Sequence, residues 1–261
     1  MKWLVLTGIL LLGAYLIYRI FARHRPWNAP SQPLSEGEKI LLRDEVSFYR
    51  SLNAQKKKAF EAKVNEFLSN CSIIGAGTEI TDKDRMLVAA SAVIPIFSFP
   101  GWRYTNLDEV ILYPGRFNHD FETEGSNERP ILGMVGTGYM DRKMIISKPA
   151  LYLGFENETD KRNTAIHEFI HIIDKMDGDT DGVPKVLMDH QYVLPWMDLI
   201  EKEYKRIVEE RSDIDPYAQT NKAEFFAVLG EYFFERPHLL ESKHPELYRA
   251  MALIFKPEDA D

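Results

Sequence analysis

The sequence predicts an α+β protein whose second half is mostly helical. Three observations carry this. Stretches with strand character are few, and they lie ahead of a central helical segment. After that segment, apolar residues recur at helical spacing almost to the C-terminus. The chain of 261 residues is 45% hydrophobic and holds 15 Phe, 12 Tyr and 4 Trp, enough to build a substantial core.

Taken in order, the first element expected is a membrane anchor over residues 1–22. Trp3 to Tyr18 carries no charge, and Arg19 can snorkel so that Ile20, Phe21 and Ala22 extend the span. Trp3, Tyr15 and Tyr18 lie towards its ends, where interfacial aromatics belong. Bulky residues stand where a cleaved signal peptide needs small ones, which favours an anchor. Arg19, Arg23 and Arg25 outweigh Lys2, so the positive-inside rule expects a single-pass protein of the inner (cytoplasmic) membrane with its body in the cytoplasm. Residues 23–34, with Pro26, Pro30 and Pro33, read as a linker. The body then runs over 35–261.

Ser35 opens a helix reaching about Arg50, with Glu38 completing a capping box. Asn53 starts a second, with Phe60, Val64, Phe67 and Leu68 on one stripe. Thr81 and Asp84 open a third, running to about Ile94. From Ile94 to Phe121 the chain is rich in aromatic and β-branched residues, and Glu109–Tyr113 reads as a strand. Gly133, Gly136 and Gly138 mark a flexible turn region. Lys143–Ser147 is a second strand, stopped by Pro149. A central helix is expected from Thr159 to about Met176. Further helices run from Pro195 to about Glu210, from Asn221 to Phe234, and from His244-Pro245 to about Phe255.

The net charge is −8, and the first 25 residues hold four cations and no acid, so the remainder is more acidic still. Such a body is unsuited to nucleic acid, which needs basic surface. Lys56-Lys57-Lys58 reads as a solvated helix face. The single cysteine, Cys71, allows no disulfide within the chain and reads as a buried thiol.

The chemistry centres on His167-Glu168-Phe169-Ile170-His171, which matches H-E-x-x-H. Four residues apart on a helix, the two imidazoles face one metal ion. Glu168, beside the first of them, can take the proton of a water that the metal polarises. Ile166, Phe169, Ile170 and Ile173 surround the motif as a buried helix requires. A third protein ligand is needed. Asp177, Glu224 and Glu231 are the candidates, although Glu224 can equally serve as a capping residue opposite Asn221. Asp174 either orients a ligand imidazole or sits solvated at the helix end.

These residues, with Asp215-Pro-Tyr217-Ala-Gln-Thr-Asn221-Lys-Ala-Glu224 and Glu231-Tyr-Phe-Phe, resemble the MtfA-like (Mlc titration factor A) zinc peptidases. Val110 to Pro114 and the Lys143–Ser147 strand are also similar. The likeness spans about residues 35 to 255. It implies a zincin-like metallopeptidase domain similar to the catalytic domain of lethal factor, with one Zn2+ per chain. It further implies His167, His171 and Glu224 as metal ligands, Glu168 as general base, Tyr217 as transition-state stabiliser and Asp174 behind a ligand. The partner expected is a peptide or protein substrate, cut either at its end, as by an aminopeptidase, or within the chain. An alternative is a regulatory protein that sequesters a transcription factor. Two departures stand out: Lys222 replaces the proline usual before the Ala-Glu pair, and the best-known member has no membrane span.

Overall fold

The computed structural model describes residues 27–116, 131–157 and 160–255. Ten α-helices and four strands are described. Among the described residues the first helices are α1 (Glu36–Glu45), α2 (Ser47–Ser51) and α3 (Ala54–Leu68). The expected capping box at Ser35 is formed, but the first helix breaks at Val46, whose backbone is extended. Asn53 caps α3 as expected. Ahead of these helices, Trp27 donates to Glu66 (2.8 Å), Asn28 and Asn70 bond reciprocally, and Asn65 donates to the carbonyl of Gln32. Residues 27–34 thus lie fastened along α3.

β1 (Ser72–Gly75) and α4 (Asp82–Ile96) follow. α4 starts at the capping box of Thr81 and Asp84 and is buried without interruption from Met86 to Ile96. A helix apolar all round belongs in the centre of a domain, and α4 occupies that place. Then come β2 (Glu109–Tyr113), β3 (Gly133–Val135) and β4 (Lys143–Ser147). The sheet order is β1-β2-β4-β3. β1, β2 and β4 are parallel, while β3 runs antiparallel to β4. β3 therefore forms one edge of the sheet, within the region expected to be a flexible turn. Three residues are too few to show a strand period in sequence.

β4 ends where Pro149 demanded, yet the chain does not stop there. Ser147 accepts from the Ala150 N–H and starts α5 (Lys148–Glu156), with the proline in its first turn. The central helix, α6 (Thr164–Asp174), is shorter than the expected Thr159–Met176. Asn163 decides its start by accepting from the Ile166 N–H at 3.1 Å; Thr159 lies outside the described residues. α7 (His190–Val208) begins five residues before the expected Pro195, which lies inside it. α8 (Lys222–Glu235), α9 (Pro237–Lys243) and α10 (Pro245–Phe255) complete the domain.

The anchor expected over residues 1–22 lies outside the described residues. Among those described, no helix is long and apolar enough to cross a membrane. The longest, α7, carries Asp198, Glu201, Lys202, Glu203, Lys205 and Arg206 within its 19 residues, and charges at that density are incompatible with a bilayer core. The expected single-pass membrane placement is corrected accordingly.

The core is one aromatic-rich cluster. Phe169 of α6 packs on Phe67 and Tyr104, at 5.8 and 5.3 Å between ring centroids. Trp196 of α7 packs on Phe225 and Phe226 of α8. Fully burying each such ring contributes roughly 1.5–3 kcal/mol. α6 and α8 touch at Gly230, where a Cβ atom would lie 2.0 Å from Ile170 Cδ1. A side chain at 230 would displace the Ile170 side chain at the contact between the two helices that carry the site.

Candidate metal centre in the cleft

His167 and His171 project from one face of α6, as their spacing requires. Their Nε2 atoms lie 3.1 Å apart. Across from them, α8 begins at Asn221, whose side chain accepts from the Glu224 N–H at 2.9 Å. The Glu224 carboxylate does not return to the cap. One of its oxygens lies 3.0 Å from His167 Nε2 and 3.4 Å from His171 Nε2. One ligand atom from each residue lies within 4.8 Å of the others. The three residues expected as ligands are thus brought together, on elements separated by 57 positions in the chain.

Glu231 sits two turns further along α8, on the same face as Glu224. It does not join the cluster of ligand atoms but holds the far side of His167, with Oε1 at 2.6 Å from Nδ1. Its other oxygen accepts from the Asn163 N–H at 2.6 Å. One carboxylate therefore joins α8 to the cap of α6 and sets the imidazole. With Nδ1 held by Glu231, Nε2 is the nitrogen that His167 presents to Glu224 and His171. Burial opposes charge on His167, but Glu231 and Glu224 together raise its pKa well above the ordinary value.

Asp177 is no candidate on this geometry. It lies on the turn after α6, accepts from the Asp179 N–H, and faces Lys185. Asp174 makes no hydrogen bond to an imidazole and does not sit in solvent. It is 1% exposed, and its Oδ2 accepts from the Gly182 N–H, pinning the loop that follows α6. Burial pushes its carboxyl up to about 6.

Glu168 is buried beside the first histidine. Burial raises its pKa; the two histidines pull it down, and Glu224 and Glu231 push it up. In Glu224, burial is outweighed by hydrogen bonds from both histidines, which hold its carboxyl well below the usual range. Tyr217 stands on a short 3-10 turn, Pro216–Gln219, that Asp215 caps by accepting from the Tyr217 N–H. Its ring centroid lies 6.2 Å from that of His167. His167, Glu168, His171, Tyr217, Glu224 and Glu231 line one cleft of about 1180 Å3, to which Gly133, Met134 and Val135 of β3 also contribute.

The donor set fits a divalent cation. Two imidazole nitrogens and a carboxylate oxygen converge, and one shared proton cannot serve all three contacts. Glu168, Glu224 and Glu231 surround the histidines, and among the described residues none of the three is ion-paired to a lysine or arginine. This anionic cluster of nitrogen and oxygen donors, closed on the protein side and open to a cleft, is what a catalytic metal site needs.

Fold and site together define a metallopeptidase-type domain, which implies a divalent metal. The sequence model of the family described as glucose-regulated metallo-peptidase M90 matches residues 20–256, and the chain belongs to that family. An uncharacterized protein of Synechocystis sp. is 30% identical over 95% of this chain and 94% of its own length. Mlc titration factor A of Pectobacterium atrosepticum is 27% identical over 89% of this chain and 91% of its own. The protein of that name from Escherichia fergusonii is 26% identical, covering 88% and 90%.

Sequence reasoning missed two features. Glu231 entered as a ligand candidate rather than as the group that orients His167. Its spacing of seven from Glu224, inside an otherwise apolar helix, signals that both carboxylates face one way. The short edge strand β3 left no such signal.

Proposed function

We propose that this protein is a zinc peptidase with a zincin-like catalytic domain, hydrolysing peptide bonds in the cleft between β3 and α8. The observation that carries this reading is the convergence of His167, His171 and Glu224 beside the buried carboxylate of Glu168. His167, His171 and Glu224 would hold the ion, and a nitrogen-nitrogen-oxygen set with one position left open suits Zn2+. When bound, the ion supplies Lewis acidity, lowering the pKa of water to about 7 and polarising the substrate carbonyl.

The chain's own residues supply the rest. Glu168 accepts the proton of the attacking water and delivers it to the leaving amine; its burial favours both transfers by keeping its pKa closer to neutrality. Tyr217 donates a hydrogen bond to the carbonyl oxygen as negative charge develops there. Glu231 holds the His167 imidazole in one orientation.

β3 takes the substrate. Ser147 N–H donates to the Leu132 carbonyl, and Gly136 N–H donates to the Lys143 carbonyl. In an antiparallel ladder with this register, Gly133 and Val135 turn their main-chain groups away from β4. Among the described residues no strand pairs with that edge, so an extended peptide can add to it there. The test measures zinc content and hydrolysis of a mixed peptide library for wild type and Glu168→Gln. The expected result is one zinc in each protein, with cleavage only by wild type. Equal inertness of the two zinc-loaded proteins defeats the reading.

The name of two relatives, Mlc titration factor A, favours a second reading: binding of a regulator of the Mlc kind. A pure binder has no use for Glu168, so the same variant separates the two.

A further inference from the structure

The edge strand and the catalytic carboxylate meet at one residue. An ideal Cβ atom built on Gly133 would lie 2.5 Å from Glu168 Oε1, 2.6 Å from its Cγ and 2.8 Å from its Cδ. These are not contacts with a mobile tip in solvent, because Glu168 is 6% exposed and enclosed in the wall of the cleft. Real Cβ atoms do not approach that closely, so any side chain at 133 must displace either the carboxylate or the strand.

Gly133 has ordinary, negative φ, since it is absent from the residues with left-handed backbone. Its neighbours Met134 and Val135 form the same strand with full side chains. Backbone freedom therefore gives no reason for glycine here, and the space taken by Glu168 does.

We propose that Gly133 is a positioning residue for the reaction: its lack of a side chain reserves the volume in which the Glu168 carboxylate stands beside the edge strand. The inference rests on the peptidase reading for its kinetic consequence, but not for the contact itself. The strand that receives the peptide is also the wall against which the base is set. The distance between substrate backbone and base is then fixed by a single van der Waals contact. Misplacing a reacting group by about 1 Å can cost on the order of 100-fold in rate.

The experiment is a double-mutant cycle of Gly133→Ala and Glu168→Ala in the full chain. Zinc content, thermal midpoint and, where Glu168 is present, kcat and KM are measured. In the Glu168 background, Gly133→Ala is expected to keep one zinc, lower kcat about 100-fold, and change KM by less than a factor of about three. It is also expected to lower the thermal midpoint. In the Glu168→Ala background, the same substitution is expected to leave the midpoint unchanged, because the colliding atoms are gone. An unchanged kcat overturns the proposal. So does an equal loss of midpoint in both backgrounds, or failure of both Gly133→Ala proteins to fold, since glycine would then serve the strand alone. If wild type cleaves nothing while holding zinc, the peptidase reading fails, and the midpoint cycle still decides the contact.

Discussion

Two buried histidines in this molecule each stand between two carboxylates, and they do opposite things. His244 has Nε2 at 2.7 Å from Asp213 and Nδ1 at 3.4 Å from Glu203. His167 has Nδ1 at 2.6 Å from Glu231 and Nε2 at 3.0 Å from Glu224. Around His244 the protein supplies its own cations. Asp213 also takes Lys161, Lys243 and the Tyr232 hydroxyl, while Glu203 takes Arg206 and Ser212. Around His167, among the described residues, no lysine or arginine pairs with the carboxylates, and the second histidine lies 3.1 Å away. One cluster is neutralised from within and holds helices together. The other is left anionic at the edge of a cleft and calls for a cation from outside. The pairing of His with carboxylate is the same in both, so the counter-charges, not the histidine, distinguish structure from function.

Breaking the cleft cluster should have the largest effect. His171→Ala removes one of three converging donors and is expected to abolish both stoichiometric zinc binding and peptide hydrolysis, measured by metal analysis and a peptide assay. Full activity in this variant would end the comparison. Tyr217→Phe leaves the donors in place. It is expected to retain zinc and lose about 10²–10³ in kcat, the usual loss for one oxyanion donor. Glu231→Gln removes the charge behind His167 and should weaken zinc binding by about 10–100-fold, as losing the group that orients a ligand does; competition with a chelator reads it.

The smallest functional effect belongs to the other histidine. His244→Gln should leave zinc content and kcat at wild-type values while costing about 2 kcal/mol of stability, because it removes one charged hydrogen-bond partner from buried Glu203 and from partly exposed Asp213. The loss depends on pH. Burial works against charge on His244, but the hydrogen bonds to Glu203 and Asp213 outweigh it and raise its pKa. Its contribution to folding is complete below the unfolded-state value of about 6.5 and fades as pH rises through the raised folded-state value. Thermal midpoints should therefore separate wild type and variant more at about pH 5.5 than at about pH 9. The reverse order would mean that the histidine folds neutral.

Much of the site was legible because its signals are local. The i,i+4 histidines, the apolar flanks of α6 and the Asn221 cap of α8 all act within a turn or two. The caps at Ser35, Asn53 and Thr81 were legible for the same reason, each using a side chain to satisfy N–H groups three residues away. α5 was not, because Pro149 reads equally as a stop and as the first turn of a helix. β3 was not, because an edge strand of three residues exists only through its pairing with β4.

By itself the sequence determined that two imidazoles would share one face of a buried helix with a carboxylate next to the first of them, and where most helices begin. Periodicity and capping depend on neighbours along the chain. Only the tertiary structure decided which of Asp177, Glu224 and Glu231 meets both imidazoles, and that Glu231 stands behind His167. That choice depends on how α8 packs on α6, a contact at which Gly230 leaves room for the Ile170 side chain. The place of Glu168 against Gly133 was decided in the same way, by excluded volume between segments distant in sequence.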